Sequence, residues 1–287
     1  MARAATPRAV TRGRVLVIAG SDSGGGAGIQ ADIKTVTALR GYAMTAVTAL
    51  TAQDTEGVHA IHPVPADFIA KQISVVLQDI GADAIKTGML HSAEVIEIVV
   101  ATLEKLATKA PLVVDPVMVA KGGQSLLLAS AVKVLKSKLV PLATVLTPNL
   151  PEAEALAGVP IRTLDDLRKA GLKLLDLGPK AVLMKGGHGR WPQVHDALVM
   201  QVPVGDPVVE MFKSARLDSR HTHGTGCTLA SAIATGLAQG MEVRDAVARA
   251  RAYVHKAIAQ APGFGRGHGP LDHAHTVGEF KWQEPKG

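Results

Sequence analysis

The sequence predicts a single α/β domain: a mostly parallel sheet with helices on both faces, forming three layers. Three observations carry that expectation. Short apolar runs alternate with longer stretches of helical periodicity, most of those runs end in glycine or a polar residue, and no linker or repeat divides the 287 residues. Strands buried on both faces read as continuous apolar runs, and parallel neighbours need a crossover, right-handed in nearly all cases and usually helical. The length suits one large domain.

Taken in order, "RVLVIAG" (Arg14–Gly20) is a buried strand running into glycine, and "AGIQADIKTVTALRG" is a helix closed by Gly41. "AMTAVTALTAQ" (Ala43–Gln53) is β-branched and partly alternating, hence a strand. "PADFIAKQISVVLQDIG" sets Ile69, Ile73, Val76 and Ile80 on one helical face. "AIKTG" is the next strand, followed by a helix from near Ser92. "PLVVDP" precedes a helix over Ser125–Leu139, and "ATVLTPN" precedes a short helix from Pro151. "TLDDLRKAGLKLLDLG" has Thr163 and Asp166 at capping-box spacing. "AVLMKGG" is another apolar strand. The beat then breaks at Val194–Val202 and Val208–Phe212, two strand-like runs that predict an antiparallel hairpin at the sheet edge. Helices around Thr228–Leu237 and Val243–Gln260 complete the chain. The domain is expected over 14–287, behind a disordered tail over 1–13 with three Arg and no acid. That tail lacks the apolar stretch of a secretory signal.

Composition narrows the function. Hydrophobic residues are 47% and aromatics only 3%, so Ala, Val, Leu and Ile must build the core. The single cysteine, Cys227, excludes an internal disulfide and a cysteine zinc cluster, which fits a cytoplasmic protein. There is no apolar run near the length of a membrane span. A net charge of +6 favours anionic ligands, but basic and acidic residues are interspersed. With few aromatics to stack bases, a small anion is expected rather than nucleic acid.

Ligands of such sheets collect at the carboxyl ends of the strands. Six of those ends are polar or glycine-rich: Gly20-Ser21-Asp22, Gln53-Asp54, Lys86-Thr87-Gly88, Asp115-Pro116, Thr147-Pro148-Asn149 and Lys185-Gly186-Gly187. Any one could be an ordinary turn, but six on one edge form a candidate site. There is no P-loop sequence. "GAGIQA" (Gly26–Ala31) matches the dinucleotide fingerprint only formally, because Ser21 to Gly25 intervene where a tight turn is required. Gly224-Thr225-Gly226-Cys227 is the better anion site, since two glycines at a helix start let successive N–H groups converge on a negative oxygen. A plain helix start over a buried thiol reads the same residues equally well. His221 and His223 have no third ligand nearby in sequence and read as surface or loop histidines.

Together, "IAGSDSGGGAGIQADIKT", "TALTAQDTEGV", "IKTGML", "VVDPVMVAKGG", "TPNLPEAEAL", "VLMKGGH" and "RHTHGTGCTLASAIA" resemble the hydroxymethylpyrimidine and hydroxymethylpyrimidine-phosphate kinases. These form the thiamine-pathway branch of the ribokinase-like superfamily. The resemblance runs from about Arg14 to near His275. It implies a ribokinase-like three-layer sandwich with ATP and Mg²⁺ across the carboxyl edge of the sheet. The reaction implied moves the ATP γ-phosphoryl to 4-amino-5-hydroxymethyl-2-methylpyrimidine, and a second one to its monophosphate. By motif, Gln53 would hydrogen-bond the aminopyrimidine, with Asp32, Gly20 and Met89 completing the pocket. Asp115, Asn149 and Glu152 would manage Mg²⁺ and the phosphates, and Lys185 would contact the nucleotide. Cys227 stands where most of the superfamily carries an aspartate base, behind Gly224, Thr225 and Gly226. A thiol at a helix N-terminus is expected to have a lowered pKa. A homodimer is implied by family analogy alone. The departures are Asp54 in place of Asn and Gly123 in place of Ser.

Three rivals remain. A vitamin B6 kinase on this fold would phosphorylate pyridoxine in place of the pyrimidine. A thiol hydrolase would pair Cys227 with His223, though the sequence offers no third group to orient them. A binding protein of the same fold would hold the pyrimidine without turning over ATP.

Overall fold

The computed structural model describes residues 12–120 and 123–282, so most of the expected basic tail and Lys121-Gly122 of the "VAKGG" stretch lie outside the described residues. Gly13, assigned to the tail, is instead packed: its carbonyl accepts the Tyr42 N–H and it lies against Ala238.

Among the described residues nine strands form one sheet, ordered β3-β2-β1-β4-β5-β6-β7-β8-β9. They are β1 (Arg14–Asp22), β2 (Tyr42–Gln53), β3 (Val58–Pro63), β4 (Ala84–Thr87), β5 (Leu112–Val114), β6 (Val145–Leu146), β7 (Ala181–Met184), β8 (Gln193–Met200) and β9 (Val208–Ala215). The six strands β2, β1, β4, β5, β6 and β7 run parallel, with Arg14 beside Tyr42 and Val15 beside Ala84. The β8–β9 pair is the antiparallel edge hairpin expected, Gln193 facing Ala215. β3, antiparallel to β2 at the other edge, is not among the expected strands; "VHAIHP" is short, interrupted by two histidines and mostly exposed.

Among the described residues eight α-helices accompany the sheet: α1 (Gly28–Ala38), α2 (Ala66–Asp79), α3 (Ala93–Lys105), α4 (Ala129–Val134), α5 (Leu150–Ala157), α6 (Leu164–Leu175), α7 (Thr225–Ala238) and α8 (Val243–Ala259). The pleat of β1 divides the core. Leu16 and Ile18 join a cluster with α2, α3, α5 and α6, including Ile69, Ile73, Ile96, Leu156 and Leu167. Val15, Val17 and Ala19 join a second cluster with α7 and α8, including Ile233, Ala234 and Val247. These are the three expected layers. Small residues on α7 let it lie close to the sheet, where Ala230, Ile233 and Ala234 have no exposed surface.

Local signals hold at Ser92, whose hydroxyl caps α3, and at Thr163 and Asp166, which form a reciprocal capping box on α6. Two expectations need correction. Arg40, with φ 64°, takes the left-handed position after α1, while Gly41 is needed because a Cβ there would meet Val36 Cγ1 at 2.8 Å. The helix expected over Ser125–Leu139 is only α4, followed by a wider turn over Leu135–Leu139 and a tight one over Val140–Leu142. Residues before α4 are drawn off helix by other partners: the N–H groups of Leu126 and Leu127 donate to Met118 O, and that of Leu128 to His91 O. Pro141, lacking an N–H, sits where the helical ladder stops.

Candidate active site

All six polar strand ends fall on the carboxyl edge of the parallel strands. The chain runs outward from β1 to β2 and β3, then returns across to β4, so the switch point lies between β1 and β4. Gly20 and Met89 face one another there, and a Cβ on Gly20 would lie 3.1 Å from Met89 Sδ. Met89 packs with Ala49 and Leu126, bordered by Val58, Ile61, Val117 and Ala120. Thr48 fixes Met89 by donating its hydroxyl hydrogen bond to Met89 O at 2.7 Å. This is a small apolar cradle at a sheet edge that is otherwise polar.

Gln53 closes β2 beside the cradle. Its Oε1 lies 3.0 Å from Thr51 Oγ1, and its Nε2 3.3 Å from His223 Nε2. Asp22, at the end of β1, accepts the N–H groups of Gly24, Gly26 and Ala27 at 2.8–3.1 Å, and His223 Nε2 lies 2.8 Å from its Oδ2. Burial by itself would raise the Asp22 pKa, but the hydrogen bonds from His223 and the backbone outweigh it, and the carboxyl is held below its ordinary range. The reading of His221 and His223 as surface or loop histidines is therefore corrected for His223, which is 7% exposed and bound to Asp22. His221 is half-buried. Among the described residues no cluster of three or more His, Cys, Asp or Glu is arranged to hold a metal.

The other half of the site is the start of α7. Gly224, its N-cap, has φ 82°, and a Cβ there would fall 1.9 Å from Gly26 O. Only glycine lets this loop close against the start of α1. A Cβ on Gly226 would stand 3.3 Å from Lys185 Nζ and 3.4 Å from Asp115 Oδ2. The first turn of α7 thus opens toward a partly buried cation and a buried carboxylate. N–H groups in a first turn have no partner within the helix, which suits them to an anion.

Cys227 lies in that turn, half-buried. The expectation of a lowered pKa does not hold. Burial pushes the thiol up to about 11; Lys86 and the Gly28 N–H pull it down, but Asp32 and Asp115 add to the rise. Desolvation outweighs the helix terminus here, so the thiol is neutral near pH 7.

Two ion pairs underlie the site. Lys86 Nζ donates to both oxygens of Asp32 at 2.9 Å, and Ser231 Oγ donates to Asp32 at 2.6 Å, with Lys86 and Asp32 fully buried. Burial by itself would lower the Lys86 pKa, but Asp32, Cys227 and Asp115 raise it, so Lys86 remains charged. Asp32 is correspondingly the buried counter-charge of Lys86, with both of its oxygens engaged by protein donors. In the second pair, Lys185 Nζ donates to Asp115 Oδ1 at 2.7 Å and lies 3.9 Å from Glu152 Oε2. Thr147 Oγ1 also donates to Asp115 Oδ1, at 2.9 Å. Glu152 is raised to about 7 by burial, with Asp115 adding to the rise and Lys185 and the N–H groups of Asn149 and Met118 opposing it.

Asn149 is held at the start of α5. Its Oδ1 accepts the Glu152 N–H at 2.9 Å while Glu152 Oε2 accepts the Asn149 N–H at 2.8 Å, a capping box at the start of α5. Its side-chain oxygen is therefore committed to the helix. Beyond Lys185, Arg216 donates to the carbonyls of Gly187, Gly189 and Trp191 at 2.7–3.3 Å and fixes that loop. The structure brings Gln53, Gly20 and Met89 together at one end, and Cys227, Gly226, Lys185, Asp115 and Glu152 at the other. From the sequence, Asp22 and Lys86 are only polar strand ends without a specific role, His223 enters only as the partner of Cys227 in the hydrolase reading, and Ser231 is not singled out. Lys86 had a signal, a lysine within a short apolar strand; the pairing of Asp22 with His223 spans 201 positions and had none.

The sequence profile of the phosphomethylpyrimidine kinases matches residues 22–272. The chain is 52% identical over 262 residues to the thiamine biosynthesis bifunctional protein ThiED of Geobacter sulfurreducens, covering 91% of this chain but only 52% of that protein. It is 47% identical over 270 residues to the hydroxymethylpyrimidine/phosphomethylpyrimidine kinase of Streptomyces coelicolor, covering 94% and 97% of the two chains. Among solved structures, the ADP complex of Bacillus subtilis pyridoxal kinase superposes with a TM-score of 0.83 at 36% identity, covering 92% of this chain and 98% of that one.

Proposed function

The chain belongs to the phosphomethylpyrimidine kinase family, and from that premise we propose how its own residues carry out the reaction. It is an ATP-dependent phosphotransferase that acts on 4-amino-5-hydroxymethyl-2-methylpyrimidine and on its monophosphate, yielding the pyrophosphate used in thiamine biosynthesis. The single observation that best supports this reading is the continuity of the site. The apolar cradle of Gly20, Ala49 and Met89 leads through Gln53 and His223 directly into the Gly224–Cys227 turn, which opens onto Lys185 and Asp115.

The flat ring occupies the cradle, and the Gln53 amide supplies one donor and one acceptor to the ring nitrogen and amino group. ATP lies across the strand ends with its phosphates toward Lys185. The N–H groups at Gly226 and Cys227 receive the transferring oxygens. Phosphoryl transfer is mostly positioning and charge stabilisation, with a loose transition state that demands little of a base. This suits a site whose thiol is neutral and whose two cations, the fully buried Lys86 and the partly buried Lys185, stand at the reaction edge.

Asp115 and Glu152 are hard oxygen donors of the kind Mg²⁺ takes beside phosphate and water. Glu152, raised to about 7, is a carboxylate short of positive charge, so the residues fit a dication. Mg²⁺ bound there would neutralise phosphate charge. Asp115 and Glu152 would hold it, with Lys185 released toward the phosphates.

Pyridoxine remains the second reading because of the close overlay on a pyridoxal kinase. Identity to the pyrimidine kinase is higher, 47% against 36%, and favours the pyrimidine. We place the enzyme in the cytoplasm, on its single cysteine and the absence, among the described residues, of any helix long and apolar enough to cross a membrane. We propose a homodimer by family analogy. ADP release with the pyrimidine alcohol, its monophosphate and pyridoxine, each offered alone with MgATP, tests the reading. Turnover confined to pyridoxine would overturn it.

A further inference from the structure

Asp22 accepts three backbone N–H groups and is ionised, so it acts only as an acceptor. His223 Nε2, 2.8 Å from Asp22 Oδ2, must therefore carry a hydrogen. Gln53 Nε2 stands 3.3 Å from that same ring nitrogen, which sets an amide donor against a ring donor. The opposite amide edge is equally informative. Thr51 Oγ1 lies 2.9 Å from Ser21 O and 3.0 Å from Gln53 Oε1, and its one hydrogen can serve only one of those acceptors. A half-turn of the Gln53 amide removes both conflicts. Oε1 then shares the His223 Nε2–H with Asp22, Nε2 donates to Thr51 Oγ1, and Thr51 donates to Ser21 O. Amide orientation is decided by such partners.

We infer that His223, itself oriented by Asp22, is a positioning residue that fixes the Gln53 amide with its oxygen on the His223 side and its nitrogen on the Thr51 side, and so fixes which way round the pyrimidine binds. This rests on the aminopyrimidine reading given above. In that substrate the ring nitrogen N3, the amino group on C4 and the hydroxymethyl group on C5 occupy consecutive positions. An amide ordered donor then acceptor, from Thr51 to His223, pairs its nitrogen with N3 and its oxygen with the amino group. The hydroxymethyl group, next in order, then falls on the His223 side. There His223 is followed directly by Gly224 and the α7 turn. The reversed amide would accept the ring turned over, with the hydroxymethyl group pointing to Thr51 and away from the phosphates. Pyridoxine has no amino group beside its reactive hydroxymethyl, so it gains nothing from this order.

The test combines His223→Leu, His223→Gln and Gln53→Ala with the double variant His223→Leu/Gln53→Ala, all in the full chain. His223→Leu should raise the KM for the aminopyrimidine alcohol about tenfold and lower kcat, with the KM for ATP held within about twofold. His223→Gln, whose carboxamide nitrogen can reach the Nε2 position, should recover most of that loss. On the Gln53→Ala background, His223→Leu should add less than about twofold, because it acts through Gln53. A tenfold loss that persists without Gln53, or His223→Leu with an unchanged pyrimidine KM, overturns the inference. Nitrogen-15 NMR of the wild-type histidines gives a readout independent of any variant's folding: His223 should be protonated at Nε2, and a bare Nε2 would overturn it. Wild-type enzyme that releases no ADP with the aminopyrimidine would instead defeat the substrate reading, a distinct failure.

Discussion

Gly226→Ala separates stability from catalysis at this site. Gly226 lies in the first turn of α7 with an ordinary backbone, so alanine is sterically allowed there and should gain up to about 1 kcal/mol in helix propensity. For a chain of this size that is a rise of about 2–4 °C in Tm at most. The added methyl would stand 3.3 Å from Lys185 Nζ and 3.4 Å from Asp115 Oδ2. In the unliganded protein the flexible lysine can move a few tenths of an ångström to accommodate it. In the working complex the same methyl occupies the space between the α7 N–H groups and the cation that must both face the transferring phosphoryl group. A displacement of about 1 Å at a reacting centre costs about 10²-fold in rate. Thermal unfolding should therefore show equal or higher stability, while ADP release at saturating substrates should fall about 10²-fold. Gly226→Ala enzyme with kcat within about threefold of wild type would refute the placement of the phosphoryl group, since so small a change lies well below that cost.

Three other outcomes follow from the same geometry. Lys86→Met leaves Asp32 buried without its cation, which should cost about 3–5 kcal/mol in unfolding free energy, and Lys86→Met/Asp32→Leu should recover most of it; a single variant as stable as wild type in denaturant would contradict the ion pair. Glu152 is an acid whose folded pKa is raised from 4.5 to about 7, so its ionisation destabilises the fold and metal-free wild type should lose stability as pH rises across that interval. Glu152→Gln should accordingly be more stable than wild type at pH 8 than at pH 5, by about 2–3 kcal/mol in difference, while requiring more Mg²⁺ for half-maximal rate; an unchanged difference across pH would rule out the buried charge. With the Cys227 thiol near 11, Cys227→Ala should lower kcat by less than about tenfold, below the usual range for loss of a general base. A wild-type rate that climbs about tenfold per pH unit between about pH 7 and 9, and a variant that does not, would instead make the thiolate the base.

Much of this site was legible because parallel strands announce themselves. Apolar runs ending in Gly20, Gln53, Thr87, Asp115, Thr147 and Lys185 placed one edge of the sheet correctly, and Ser92 and Thr163 capped their helices as their spacing indicated. Local rules failed where a distant partner won. His223 looked like a loop histidine because Asp22 lies 201 positions away, and only the close approach of Gly224 to Gly26 brings them together. The pairing of Asp32 with Lys86 and Ser231 likewise joins residues 54 and 199 positions apart and left no local signal. The pKa of Cys227 was misjudged for a related reason. A helix N-terminus is visible in sequence, whereas the desolvation that outweighs it belongs to the packed fold. The helix expected from Ser125 was shortened by hydrogen bonds to Met118 and His91, which helical periodicity does not reveal.

The most direct test of the account is phosphorus NMR of the wild-type enzyme supplied with 4-amino-5-hydroxymethyl-2-methylpyrimidine and MgATP. A monoester signal should appear first and give way to the paired signals of a pyrophosphate ester as ADP accumulates. ATP that stays intact with this alcohol and its monophosphate, but is consumed with pyridoxine, would contradict the assignment of the cradle and of Gln53 to an aminopyrimidine.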